Sequence, residues 1–362
     1  MEPTKDPKTG KWLIQYRYTD WQGNRKKSCK RGFNTKREAK EWVAEFLRTQ
    51  NSSLNMTFAS FYDIYINDLK MRVRENTLLT KESIFELKIL PYFKNFKLNE
   101  IKPKDIISWQ NEMLNSKDKY GKPYSETYLR KINSQLSALF NHAVRYYGLE
   151  KNPVQAVDPI GQKKPKNEMQ IWTQEQYEAF SNAIMDKPES YQFFQLLWYT
   201  GMRLGEALAL TKADFDLENK TIRINKSYQR IKGRDVITPP KTPASNRTIQ
   251  ISSFLCEQMK FYLSTIYGLK DNQRIFTISK SFVHHELDRG CKIAGVPRIR
   301  VHDIRHSHVS ALIDLGFTPV AISRRVGHDS IEITYRTYAH EFKAKEREIA
   351  DRLELIGNKE GF

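Results

Sequence analysis

Val301-His-Asp-Ile-Arg-His306, followed by Val326-Gly-His-Asp329 and Arg336-Thr-Tyr-Ala-His340, is the stretch around which the rest of this chain is organised. It supplies His302, Arg305, His328 and Tyr338. About a hundred residues upstream, Thr200-Gly-Met-Arg-Leu-Gly-Glu-Ala207 adds Arg203, and a Pro-rich segment between the two adds Lys241. Arginine forks bind the nonbridging oxygens of a phosphodiester at two points. Histidine moves protons near neutral pH, and a tyrosine hydroxyl can form a covalent intermediate. Such a set suits attack on a phosphodiester without a metal. Arg305 follows His302 by three residues, so on a helix both address one face and a shared target.

The ordered set His302-x-x-Arg305, Gly327-His328 and a tyrosine ten residues later, with Arg203 in Thr-Gly-x-Arg-x-Gly-Glu, resembles the tyrosine recombinase (phage integrase) family. The resemblance implies a site-specific DNA recombinase of a mobile element, a prophage or an integrative conjugative element, serving integration and excision without metal or ATP. It also implies that Arg203, Lys241, His302, Arg305 and His328 form a phosphate pocket and that Tyr338 is the nucleophile. His302 would take the tyrosine proton or orient the phosphate, and His328 would donate to a nonbridging oxygen. Lys241 would protonate the leaving 5′-oxygen or merely touch phosphate. Tyr335, three residues from Tyr338, lies on the same side of a helix; the spacing from His328 selects Tyr338 by resemblance only. His142, His284 and His285 read as ordinary surface or core histidines.

No cofactor is implied. The partners implied are double-stranded attachment-site DNA, three further copies of the chain in a tetramer exchanging strands through a Holliday junction, and an excisionase and a DNA-bending host factor. Rival readings use the same residues. His302-Asp303-x-x-His306 is close to the zincin pattern, with His308 as a third ligand. A dimer-resolving recombinase, a type IB topoisomerase and a DNA-binding protein without catalysis are the others.

Composition agrees with a polyanionic partner. Sixty basic against forty-two acidic residues leave a net charge of +18 over 362 residues. Residues 1–50 hold thirteen of the basic and six of the acidic ones. No apolar run reaches the roughly eighteen residues a membrane span needs, and the first residues lack a signal-peptide core, so a cytoplasmic protein acting on DNA is expected. Cys29, Cys256 and Cys291 are too few and too scattered for a disulfide framework or a Cys-x-x-Cys metal site.

Taken in order, the pattern predicts a multidomain, mainly α protein. Residues 10–18 and 26–33 read as strands around the turn at 20–24, and Thr35-Lys-Arg-Glu38 as a capping box opening a helix to about Arg48. Residues 1–50, a small sheet plus helix, resemble the arm-binding domain of integrases from Gram-positive phages and conjugative transposons. Arg17, Lys26, Lys27, Lys30 and Arg31, interleaved with aromatics, would enter a major groove. Residues 56–157 read as four helices, the second ending at Pro91; the resemblance implies a core-binding, SAM-like domain. Lys163, Lys164 and Lys166 in the following linker would track the phosphate backbone. Residues 168–362 read as a mostly helical α+β catalytic domain with a small antiparallel sheet, Lys241 at a hairpin tip, and a helical tail. A narrow stripe on that tail, Phe342, Ile349, Leu353 and Ile356, is expected to dock on a neighbouring protomer.

Overall fold

The computed structural model describes residues 2–7, 9–19, 25–50, 54–162, 169–344 and 353–354. The turn at 20–24, Lys163, Lys164, Lys166 and most of the terminal stripe (the Phe342 side chain, Ile349 and Ile356) lie outside the described residues. The fold is mainly helical with small antiparallel sheets, as expected. The chain divides into two compact units, residues 1–167 and 168–362.

The N-terminal segment is a three-stranded antiparallel sheet of β1 (Thr4–Lys5), β2 (Trp12–Thr19) and β3 (Arg25–Phe33), followed by α1 (Lys36–Gln50). Glu38 reaches back to the Asn34 N–H at 3.0 Å while its own N–H donates to Thr35 Oγ1, which fixes where α1 begins. Ile14 and Tyr16 turn towards α1 and pack with Phe33, Ala39 and Val43. Their neighbours on β3 are Lys30 and Ser28. The Lys30 ammonium accordingly lies over the Trp42 ring, 5.7 Å from its centroid.

Arg17 pairs with Lys27 and Leu13 with Arg31, so those three cations occupy the face away from α1. Lys26, Ser28 and Lys30 alternate along β3 and share the row on the α1 side. The five basic residues expected to act together are therefore split between two faces. The aromatic Tyr16 is in the core rather than interleaved with cations on the open face.

Residues 54–162 build the helical bundle: α2 (Phe58–Lys70), α3 (Glu75–Ile84), α4 (Leu90–Phe93), α5 (Pro103–Asn115) and α6 (Glu126–Tyr147). Thr57 Oγ1 accepts the Ser60 N–H at 3.2 Å, and Ser125 opens α6 in the same way. Phe58, Phe61, Phe85, Phe93, Trp109, Leu136 and Phe140 fill the core. Pro91 does not end the second helix. A widened π turn over Phe85–Ile89 joins α3 to α4, and Pro91 enters in the first turn of α4, where its missing N–H costs little. The Trp109 indole donates to the Lys88 carbonyl in that turn at 3.0 Å.

The second unit contains α7 (Gln174–Ala183), α8 (Pro188–Thr200), α9 (Leu204–Ala207), α10 (Ser253–Thr265), α11 (Lys280–Ala294), α12 (Val301–Asp314), α13 (Pro319–Val326) and α14 (Ile331–Ala344). Its strands form two sheets. β4 (Phe215–Asp216), β5 (Thr221–Ile224) and β8 (Arg247–Gln250) make one; β6 (Ser227–Ile231) and β7 (Arg234–Thr238) make the other. Lys241 is thus not at a hairpin tip. β7 pairs with β6 through a two-residue turn, Lys232-Gly233, with φ of 47° and 81°, whereas β8 pairs with β5. Pro239 and Pro240 cannot donate to a ladder, so the chain leaves β7 and crosses to the other sheet. Among the described residues no helix is long and apolar enough to cross a membrane.

Candidate active site

The pocket is built where α8 gives way to α9. Gly201 caps α8 in the left-handed region, φ 61°, and a Cβ there would fall 2.5 Å from the His308 ring. Arg203 follows as the residue that starts α9. Glu206 accepts from the Arg203 N–H at 2.9 Å and from its Nη1 at 2.8 Å, and binds Arg247 Nη2 at 3.0 Å. Burial would raise the Glu206 carboxyl, but Arg247 and then Arg203 hold it below its ordinary value. Arg203 also donates to Ser245 Oγ at 3.3 Å and to the Gly327 carbonyl at 3.2 Å.

α12 presents His302, Arg305 and His306 along one face. Arg305 is 3 % exposed. Its Nη1 donates to the Gly201 carbonyl at 2.8 Å, while Nη2 is buried with no hydrogen-bond partner among the described residues. Burial, then the charge of Arg203, lowers its pKa to about 9. His302 stands at the surface, its pKa lowered by loss of water around the ring and then by Arg305 and Arg203.

Gly327 ends α13 with φ 70°; a Cβ would lie 2.9 Å from the Ala244 carbonyl. His328 then enters the pocket, its Nδ1 2.7 Å from Thr334 Oγ1. Burial, followed by Arg305 and Arg203, pushes it down to about 4.

Tyr338 is 1 % exposed and Tyr335 54 %, so the structure separates two tyrosines that spacing alone leaves equivalent. The Tyr338 ring sits on a small apolar cluster with Val309, Ile313, Ile322 and Val326. α14 departs from helical geometry at Tyr338 itself, φ −117° and ψ 20°. Its hydroxyl is 2.5 Å from His306 Nδ1.

Arg203, Arg305, His302, His328 and Tyr338 are therefore brought to one region. Lys241 stands exposed on the crossover loop, which Ser245 and Thr242 turn onto Arg203. The zinc-like pattern does not converge. Asp303 is taken by Arg300 at 2.8 Å, His306 by Tyr338, and buried His308 accepts from Arg325. Among the described residues no group of three His, Cys, Asp or Glu could hold a metal. Sequence reasoning does not single out Glu206, Arg247 or Ser245, and it names His306 only as a ligand in the rival zinc pattern, not as a partner of Tyr338. Only Glu206 and His306 lie inside the quoted motifs, where a carboxylate three residues after an arginine and a histidine four after another are available signals.

Comparison with known proteins gives three domain matches. Residues 170–345 match the phage integrase family, residues 57–114 the phage integrase N-terminal SAM-like domain, and residues 4–50 an arm DNA-binding domain. The chain is 27% identical over 342 residues to the ICEBs1 integrase of Bacillus subtilis (strain 168), covering 89% of this chain and 90% of that one. Its fold is similar to that of the Tn1549 transposon integrase in complex with transposon right end DNA: TM-score 0.66, 23% identity, 83% of this chain and 100% of that one. A lambda integrase tetramer bound to a Holliday junction is similar at TM-score 0.58 and 18% identity, over 92% of this chain and 91% of that one.

Proposed function

The chain belongs to the phage integrase family of tyrosine recombinases, and from that premise we propose that it recombines the DNA of a mobile element at specific sites through a 3′-phosphotyrosyl intermediate. The observation that carries the chemistry is a buried arginine, Arg305, whose Nη2 has no partner among the described residues, in one pocket with a buried tyrosine. A guanidinium held out of water with an open donor is suited to a nonbridging phosphate oxygen. Arg203 takes the second oxygen, and His302 and His328 orient the group.

Tyr338 oxygen attacks phosphorus as it loses its proton. The P–O5′ bond breaks, and the 5′-oxygen leaves with that electron pair and a proton from Lys241. The phosphodiester energy is kept in the tyrosyl ester, so a 5′-hydroxyl from a partner strand rejoins the DNA by the reverse steps without ATP. Residues 1–50 bind distal arm sites, 56–157 grip the core site, and 168–362 perform the chemistry, with Lys163, Lys164 and Lys166 along the backbone between. Four copies act through a Holliday junction, two cutting at a time, in the cytoplasm, with an excisionase and a DNA-bending factor setting direction. The arm match over residues 4–50 favours this over a dimer-resolving recombinase.

The test is covalent trapping on a nicked duplex carrying the junction that flanks the gene. EDTA-treated protein is expected to form an adduct mapped to Tyr338. Loss of the adduct in EDTA with recovery on adding Zn²⁺ or Mg²⁺ would sink the metal-free mechanism.

A further inference from the structure

His306 lies one turn beyond His302 on α12 and has no role in the reaction described so far. Its Nδ1 is 2.5 Å from the Tyr338 hydroxyl, with ring centroids 5.8 Å apart. His302 instead meets His306 edge-on, centroids 5.0 Å apart, and stays exposed beside the arginines. A phenol attacks phosphorus as it loses its proton, and the acceptor must be within hydrogen-bond reach of that proton. We propose that His306 is the general base, taking the Tyr338 proton on Nδ1 during cleavage and returning it on religation. His302 is left to the phosphate. This rests on Tyr338 being the nucleophile.

The arrangement is rigid. Val309 and Ile313, the next turns of α12, form part of the apolar seat under the Tyr338 ring, so one helix sets both the base and the phenol. Burial and then His302 keep the ring neutral, with a pKa of about 4, and in the tautomer protonated on Nε2 the Nδ1 lone pair accepts from the Tyr338 hydroxyl. Negative charge on a bound phosphate raises its basicity at the moment of attack. In the step, the Tyr338 O–H bond breaks and the proton joins Nδ1, giving an imidazolium. The tyrosine oxygen forms the O–P bond as the 5′-oxygen departs, protonated by the separate acid. Religation runs the same transfers backwards.

The experiment pairs His306→Asn with fluorinated tyrosine at position 338. Asparagine keeps a polar atom near the place of Nδ1 but is no base. His306→Asn is expected to bind DNA as the parent does and to cleave about 100-fold more slowly. A more acidic fluorotyrosine is expected to recover most of that loss, whereas a 5′-bridging sulfur, which relieves a missing acid, is not. Cleavage at the parent rate overturns the assignment outright, and a loss that fluorotyrosine does not recover overturns it and leaves His306 a positioning residue. An adduct on a tyrosine other than Tyr338 in the parent overturns the underlying reading as well.

Discussion

Arg305 in the α12 pocket is 3 % exposed and tied to a carbonyl, whereas Arg17 and Arg31 on the N-terminal sheet stand in water, Arg31 no closer than 3.9 Å to Asp6. The same guanidinium serves two purposes. In the pocket, burial makes each charge strong, and Glu206 keeps Arg203 and Arg247 tolerable to the fold. On the sheet, water screens each charge, which suits a contact that adds affinity without fixing geometry. Charge suited to chemistry is preorganised; charge suited to grip is solvated.

The largest effect is expected at the nucleophile. Tyr338→Phe removes one oxygen from a seated ring, so the adduct is expected to vanish while DNA binding persists. Tyr335→Phe, at an exposed position, should still form it. An adduct lost in Tyr335→Phe instead would show that burial misidentifies the nucleophile. Next comes Arg305→Lys, which keeps the charge but loses the fork that spans Gly201 and a phosphate oxygen. Cleavage is expected to fall about 10² to 10³-fold, as for loss of one preorganised donor. A loss under about tenfold in single-turnover cleavage would mean that charge alone suffices there.

Much of this is legible in the sequence because the decisive residues sit on short helical spacings. His302 and Arg305 share a face by arithmetic, and the capping box at Thr35 marks a helix start. What is not legible needs pairing information. Alternation along β2 and β3 gives a period of two but not which row meets α1, and the bulge at Gly32 shifts the register between Trp12 and Leu13. Lys241 is misplaced by sequence pattern because two short strands flanking a loop look like a hairpin until their partners are known. The pairing of His306 with Tyr338, as opposed to a place in a zinc-like pattern, is not legible because the two lie thirty-two residues apart, across a tertiary contact.

A smaller effect follows from His308, buried under Gly201. Burial and then Arg325 lower its pKa to about 3, against 6.5 ordinarily. The unfolded chain gains a proton as pH falls through 6.5, and the folded chain does not until about 3. Stability present above 6.5 is therefore lost on acidification, approaching about 1.4 kcal/mol per pH unit from this residue. Denaturant midpoints of the full chain between about pH 7 and pH 5 should show it. In His308→Gln, less stable overall, that part of the slope should disappear; an unchanged slope would assign it to other groups.

The smallest effect separates the two faces of the N-terminal sheet. Arg17, Lys27 and Arg31 share the face away from α1, so each that meets a phosphate releases a counterion when it binds. Replacing one by alanine should reduce the slope of log affinity against log salt by about 0.9 on arm-site DNA. Cleavage of a core site should not change. Lys30 differs, because its ammonium lies over Trp42 on the other side. Lys30→Ala should leave the salt slope alone and cost about 0.5–1 kcal/mol in stability of the sheet, the usual worth of an exposed cation–π contact. If Lys30→Ala lowers the slope as much as Arg31→Ala does, both faces touch DNA, and the division drawn from the strand register does not describe how this sheet binds.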